Sequence, residues 1–191
     1  MTLLSPSLTA LGLVVTRLQT MHAATVTDFC RRCSAFFELV TGESDAAKIA
    51  TELLDKGPPG VDPSRKHVLG IERDDRLVGI VDLIEDFPTE GAWYLGTLLL
   101  LPDERNRGTG RAIWTAIETC VHSSGGRVLR LIVQEQNPRA ASFWTSLDFV
   151  TDGQVPQLLG SRANLCWRFE KHLRDAPAHH QCRPLEQRQA L

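Results

Sequence analysis

At 191 residues the chain is long enough for one domain with a sizeable core. It is 42% hydrophobic and 23% charged, with a net charge of -2, which excludes a general affinity for nucleic acid or an anionic membrane surface. No apolar run approaches the roughly 20 residues of a membrane span, and Met1 to Val15 lacks the basic start and small-residue cleavage site of a signal peptide.

Leu11 to Gln19 reads as a first strand. Thr25 stands three residues before Asp28 with capping-box spacing. Val26, Phe29, Cys30, Cys33, Phe37 and Val40 then keep the 3, 4, 7 rhythm of one amphipathic helix, which Gly42 ends. Asp45 caps a second helix over Ala46 to Asp55, stopped by Gly57-Pro58-Pro59-Gly60. Lys66 to Glu72 and Arg76 to Ile84 are strands joined by a tight hairpin at Arg73-Asp74-Asp75. A turn over Pro88 to Gly91 leads to a strand over Trp93 to Leu101, so continuously apolar that it should be buried on both faces.

A glycine-bearing loop follows, then a helix that buries Ile113, Ala116, Ile117 and Cys120 and ends at Ser123 to Gly126. Arg127 to Val133 alternates as a strand. Asn137 caps a short helix led by Pro138, with Ala141, Trp144 and Leu147 on its apolar face. Phe149 to Thr151 and Asn164 to Lys171 read as closing strands. Residues 1–173 thus form a single domain. The chain turns polar from Arg174, and residues 174–191 read as a loose tail. The fold class is α/β with a mixed sheet, in the order β-α-α-β-β-β-α-β-α-β-β.

Five cysteines, Cys30, Cys33, Cys120, Cys166 and Cys182, make an odd, scattered set, as expected of reduced thiols in a cytoplasmic protein. Cys30-x-x-Cys33 lies within a helical pattern and lacks a second ligand pair, so it reads as buried helix packing rather than a redox or zinc motif. His179, His180 and Cys182 read as solvated tail residues, and no metal site is expected.

The stretch from Leu98 to Ile113 carries the strongest chemical signal. An apolar strand ends at Pro102, and Arg105, Asn106, Arg107, Gly108, Thr109, Gly110 and Arg111 lead into a helix. Unpaired N–H groups of a helix's first turn, glycines that permit close approach, and three arginines suit a phosphate or pyrophosphate. A Walker loop is absent, and Ile113 stands where a dinucleotide fingerprint needs its third glycine. The bland alternative is a charged loop feeding an ordinary helix.

What remains is R-x-x-G-x-G, carried by Arg105, Gly108 and Gly110. This resembles the coenzyme A pyrophosphate loop of the GNAT-type N-acetyltransferase superfamily. The segment Asn137-Pro-Arg-Ala-Ala-Ser-Phe-Trp-Thr-Ser-Leu-Asp-Phe149 resembles a second pattern of that family, with matches at Asn137, Ala140, Phe143, Leu147 and Phe149. The resemblance covers residues 11 to 171. It departs at Trp144, where the family often has a tyrosine that protonates the leaving thiolate, and at Asp148, which replaces a glycine.

The resemblance implies the GNAT fold and transfer of an acetyl group from acetyl-CoA to a primary amine by direct attack on the thioester. Coenzyme A would lie between the strands over 93–101 and 127–134, paired with main-chain groups near Leu98 and Leu100. Its pyrophosphate would lie on residues 105–111. Asn137, Phe143 and Trp144 would lie near its pantetheine arm. Tyr94, where some members carry a glutamate, and Glu85 are the candidates for the base. Glu38 could line the acceptor pocket, and Asp82 and Asp86 could add acidity to it. The acceptor would be a small-molecule or peptide amine, and a homodimer is implied by analogy alone. Two other readings stay open: an acyl-CoA-binding or sensing protein without transferase activity, and a different nucleotide-phosphate binder using the same loop.

Overall fold

A computed structural model describes residues 6–173. The expected tail, with His179, His180 and Cys182, lies outside them. The strands are β1 (Val14–Arg17), β2 (Lys66–Arg73), β3 (Arg76–Ile84), β4 (Ala92–Leu100), β5 (Val128–Gln134), β6 (Val150–Leu159) and β7 (Arg162–His172). They form one sheet in the order β1-β2-β3-β4-β5-β7-β6. Every neighbouring pair is antiparallel except β4 and β5, which are parallel. The helices are α1 (Pro6–Ala10), α2 (Ala23–Arg32), α3 (Ser34–Thr41), α4 (Ala46–Asp55), α5 (Thr109–Ser123) and α6 (Pro138–Thr145).

The expected order of elements holds from β1 onward, with two differences. A short helix precedes β1, which is correspondingly shorter than Leu11 to Gln19. The first long helix is broken in two at Cys33, whose backbone leaves helical values at φ -107°, ψ 17°. The apolar rhythm does not register the break because Cys30, Cys33 and Phe37 face the core on both sides of it. The expected Thr25 capping box is absent. A turn over Thr20–His22, closed by reciprocal Gln19–His22 bonds, starts α2 at Ala23 instead.

Other local signals hold. Gly42 ends α3 at φ 69°. The Asp45 carboxylate accepts from the N–H groups of Ala47 and Lys48 at the head of α4. Asp74 and Asp75 both take positive φ in the β2–β3 turn.

The closing strands are much longer than expected and make one hairpin. The expected strand over Phe149 to Thr151 stops short of Asp152, Gly153 and Pro156, which β6 includes. In β6, an edge strand, a missing proline N–H costs no ladder bond, and Gly153 occupies a register irregularity. Strands β2 and β3 are buried residue after residue, which requires helical cover on both faces. Strand β4 departs from that expectation: Gly96 is exposed and Thr97 and Leu98 are half-buried.

Candidate active site

That exposure has a topological cause. Strand β5 pairs with β4 only at Ala92↔Val128, Trp93↔Leu129 and Tyr94↔Arg130. Beyond Tyr94 the two strands part, while β5 stays paired with β7 through Gln134 and β4 stays paired with β3 through Leu100. A wedge-shaped slot therefore opens between residues 95–100 and 131–134.

Main-chain direction in the slot follows from the alternation of a strand. The N–H of Leu101 donates to the Val78 carbonyl on β3 at 2.9 Å. Leu99 therefore faces β3 as well, and the amides of Leu98 and Leu100 face the slot. Consistently, the Leu100 carbonyl accepts from the Arg105 Nε at 2.9 Å. Unpaired main-chain groups along a slot are receptors for an extended amide-bearing ligand, as for an added strand.

The loop at the mouth of the slot is built from residues with specific backbone needs. Pro102–Glu104 form a single 3-10 turn, and Asn106 and Gly108 take φ of 60° and 80°. Gly108 is the N-cap of α5 and offers no side-chain acceptor, so the first N–H groups of this helix are left for another partner. Gly110 packs under α6: a Cβ there would lie 3.5 Å from the Phe143 ring and 3.8 Å from Leu100.

The loop's acids are neutralised by pairs with the β2–β3 hairpin, Glu104 with Arg73 at 3.4 Å and Asp103 with Arg76 at 3.0 Å. Of the three arginines, Arg105 is tied to Leu100, and Arg111 donates to the Ser146 carbonyl and hydroxyl at 3.3 and 3.1 Å. Arg107 is exposed and enters no ion pair among the described residues.

Helix α6 closes one side. The Asn137 side chain accepts from the Ala140 N–H at 3.3 Å, as a cap does. Trp144 is buried in an aromatic cluster, with ring centroids 4.9 Å from Phe143, 5.2 Å from Phe149 and 5.6 Å from Trp114. It serves packing, and an indole cannot take the place of a phenol as proton donor. Asp148 takes φ 66°, the region a glycine occupies without strain.

The candidate bases are scattered. Tyr94 lies at the apex of the slot, 5.7 Å edge-to-face from Phe87, and burial pushes its phenol up to about 12. It therefore stays protonated at neutral pH. The Glu85 carboxylate lies 3.3 Å from His67, at the closed end of the β4–β5 pair. His67 in turn stacks on Trp93, with centroids 5.8 Å apart. Asp86 serves a turn, accepting from the Gly91 N–H at 2.7 Å, and Glu38 is exposed on α3.

Asp82 is the only carboxylate of β3. It pairs in register with Thr97 and lies against Gly96, and its Oδ2 is 3.0 Å from the Lys66 Nζ. A lone acid inside Leu77-Val-Gly-Ile-Val-Asp-Leu-Ile84 is the sequence signal for it. Only the sheet shows what it faces.

No group of three metal-ligating side chains occurs among the described residues. No helix among them is long and apolar enough to cross a membrane.

The family model described as Acetyltransferase (GNAT) family matches residues 32–149. No curated protein sequence matches the chain at a significant level. Solved structures with the same fold include an acetyltransferase from Thermus thermophilus, with a TM-score of 0.65 and 18% identity over 91% of this chain and 100% of the neighbour. Another is the acetyltransferase of the GNAT family from Streptococcus pneumoniae, with a TM-score of 0.62 and 17% identity over 84% and 99%. A third is the PaiA N-acetyltransferase from Thermoplasma acidophilum in complex with coenzyme A, with a TM-score of 0.63 and 19% identity over 84% and 98%.

Proposed function

Because the chain belongs to the Acetyltransferase (GNAT) family, we propose that it carries an acetyl group from acetyl-CoA to a primary amine by direct attack on the thioester. One observation carries the reading: an unpaired main-chain slot leads from the mouth, where the first turn of α5 is uncapped, to the apex at Tyr94. Helix N–H groups at residues 109–111 and the Arg107 guanidinium fit a pyrophosphate. The amides of Leu98 and Leu100 fit a pantetheine arm, and one of them would also stabilise the oxyanion as it forms. A neighbour with this fold was crystallised with coenzyme A. The acceptor in this reading is a small-molecule or peptide amine, and the setting is cytoplasmic.

The amine arrives mostly protonated, since a lysine-like group has a pKa near 10.4. It must lose a proton before it attacks. The thiolate that leaves is a tolerable leaving group, with thiol pKa values near 8.5. The absence of a phenol at Trp144 therefore does not forbid turnover. That same absence favours a second reading, an acyl-CoA-binding protein that does not transfer.

Two measurements decide between them. Calorimetry should show acetyl-CoA binding that Gly110→Asp weakens at least tenfold, about 1.4 kcal/mol. Unchanged affinity in the folded variant would overturn the loop assignment. Thiol release against a panel of amines should then show turnover. Binding without release from any amine supports the second reading.

A further inference from the structure

The buried carboxylate of Asp82, on the strand that sequence motifs leave out, lies against Gly96 in the β4 wall of the slot. The β3–β4 register shifts between Asp82 and Leu83, so Asp82 opposes Thr97, Leu83 opposes Leu95, and Gly96 is left over as a bulge. A Cβ at Gly96 would lie 3.0 Å from the Asp82 Oδ2 and 3.5 Å from its Cγ, so the carboxylate rests directly against the bulged main chain. Gly96 is itself the exposed residue of β4, on the edge that β5 leaves free. The carboxylate is held there by Lys66, whose ammonium is fixed in turn by the Lys56 carbonyl at 2.7 Å. Its second oxygen, Oδ1, is buried and has no hydrogen-bond partner among the described residues. An orphaned buried carboxylate oxygen is costly and calls for a reason.

We propose that Asp82 is the proton acceptor of the transfer reaction, taking the ammonium proton of the incoming amine through a water seated at the Gly96 bulge. This rests on the acetyltransferase reading above. The substrate ammonium gives one proton to the carboxylate. The free amine then attacks the thioester carbonyl; the C–N bond forms and the C–S bond breaks. The second proton lost by the nitrogen passes to the departing thiolate, giving the free thiol of coenzyme A, and Asp82 returns its proton to solvent. Burial holds the Asp82 carboxyl above its ordinary value, against a smaller opposing effect from the Lys66 ammonium. A carboxylate raised in this way is better matched to proton transfer near neutral pH than an ordinary one.

The test uses the full chain, acetyl-CoA and the fastest amine of a panel containing spermidine, benzylamine and lysine methyl ester. Asp82→Asn should lower kcat about 100-fold or more at pH 7. The calorimetric affinity for acetyl-CoA should stay unchanged, and the residual rate should climb with pH as free amine accumulates. Lys66→Met, which leaves the carboxylate in place, should move the acidic limb of the kcat profile to higher pH. Retention of the wild-type rate and profile by Asp82→Asn overturns the inference alone. So does a parallel loss of rate and acetyl-CoA affinity, which marks a merely structural pair. If Asp82→Asn fails to fold, an unmoved limb in folded Lys66→Met overturns it. A wild type inactive on every amine overturns the transferase reading together with it.

Discussion

Gly108 stands at φ 80° immediately before α5, with none of the described residues within 4 Å of where a Cβ would lie. Space is not the constraint there; backbone strain is. Gly108→Ala should therefore lose about 1 kcal/mol, read as a fall of roughly 2–4 °C in Tm for a chain of this size. His67 poses a different problem. The residue is 7% exposed, its Nδ1 has no partner among the described residues, and burial holds its pKa below the ordinary value of 6.5, against a smaller opposing effect from Glu85. The folded state therefore binds fewer protons than the unfolded one between its lowered value and 6.5. The stability this contributes is fully present above 6.5 and is lost as pH falls toward the folded value. Thermal melts at about pH 7 and about pH 5 should show this loss in the wild type. His67→Phe, which keeps the stack on Trp93, should shrink the difference between the two melts.

Among the elements, α6 shows how a motif residue can be occupied by structure. Asn137 matches a family pattern and is proposed to lie near the pantetheine arm, yet its side-chain oxygen caps α6. Asn137→Ala should lower stability by ~1 kcal/mol while acetyl-CoA affinity stays within about twofold. Equal stability with weaker binding would give the residue to the ligand instead. Helix α3 is fixed by the carbonyls of its last turn. Those of Leu39, Val40 and Thr41 accept from Arg162 and Gln136, from Asn164, and from Ser161, respectively. The β6–β7 hairpin thus stitches down the C-terminal end of the helix that follows the Cys33 break, and Asn164 is buried by doing so. None of these partners is nearer than 97 positions in sequence, the Gln136–Leu39 pair being the closest.

For the whole molecule, the mechanism turns on whether any thiol forms an acyl intermediate. Burial pushes Cys30 up to about 12 and raises Cys33 and Cys166. These thiols are protonated at neutral pH and poor nucleophiles. Incubation with acetyl-CoA alone should leave the intact mass unchanged. A stoichiometric acetyl adduct that passes to an added amine would overturn direct attack. The strand–loop–helix unit from Leu98 to Ile113, the hairpin turn at Asp74–Asp75, the caps at Asp45 and Asn137, and the order of the elements from β2 onward were legible in the residues themselves. Each of these is written in local chemistry: an apolar period, a backbone dihedral only some residues tolerate, an oxygen two or three residues from an N–H. The length of β6 was not legible, because an edge strand has little apolar face to pattern and tolerates Gly153 and Pro156. The break at Cys33 was hidden because a rhythm of buried residues does not record the direction of a helix axis. The slot and the placing of Asp82 against its β4 wall were not legible in this way. Strand β5 joins β4 for only three residue pairs, and the register shift opposite Asp82 sets that acid against Gly96. Both depend on pairing between segments that no short window of sequence contains.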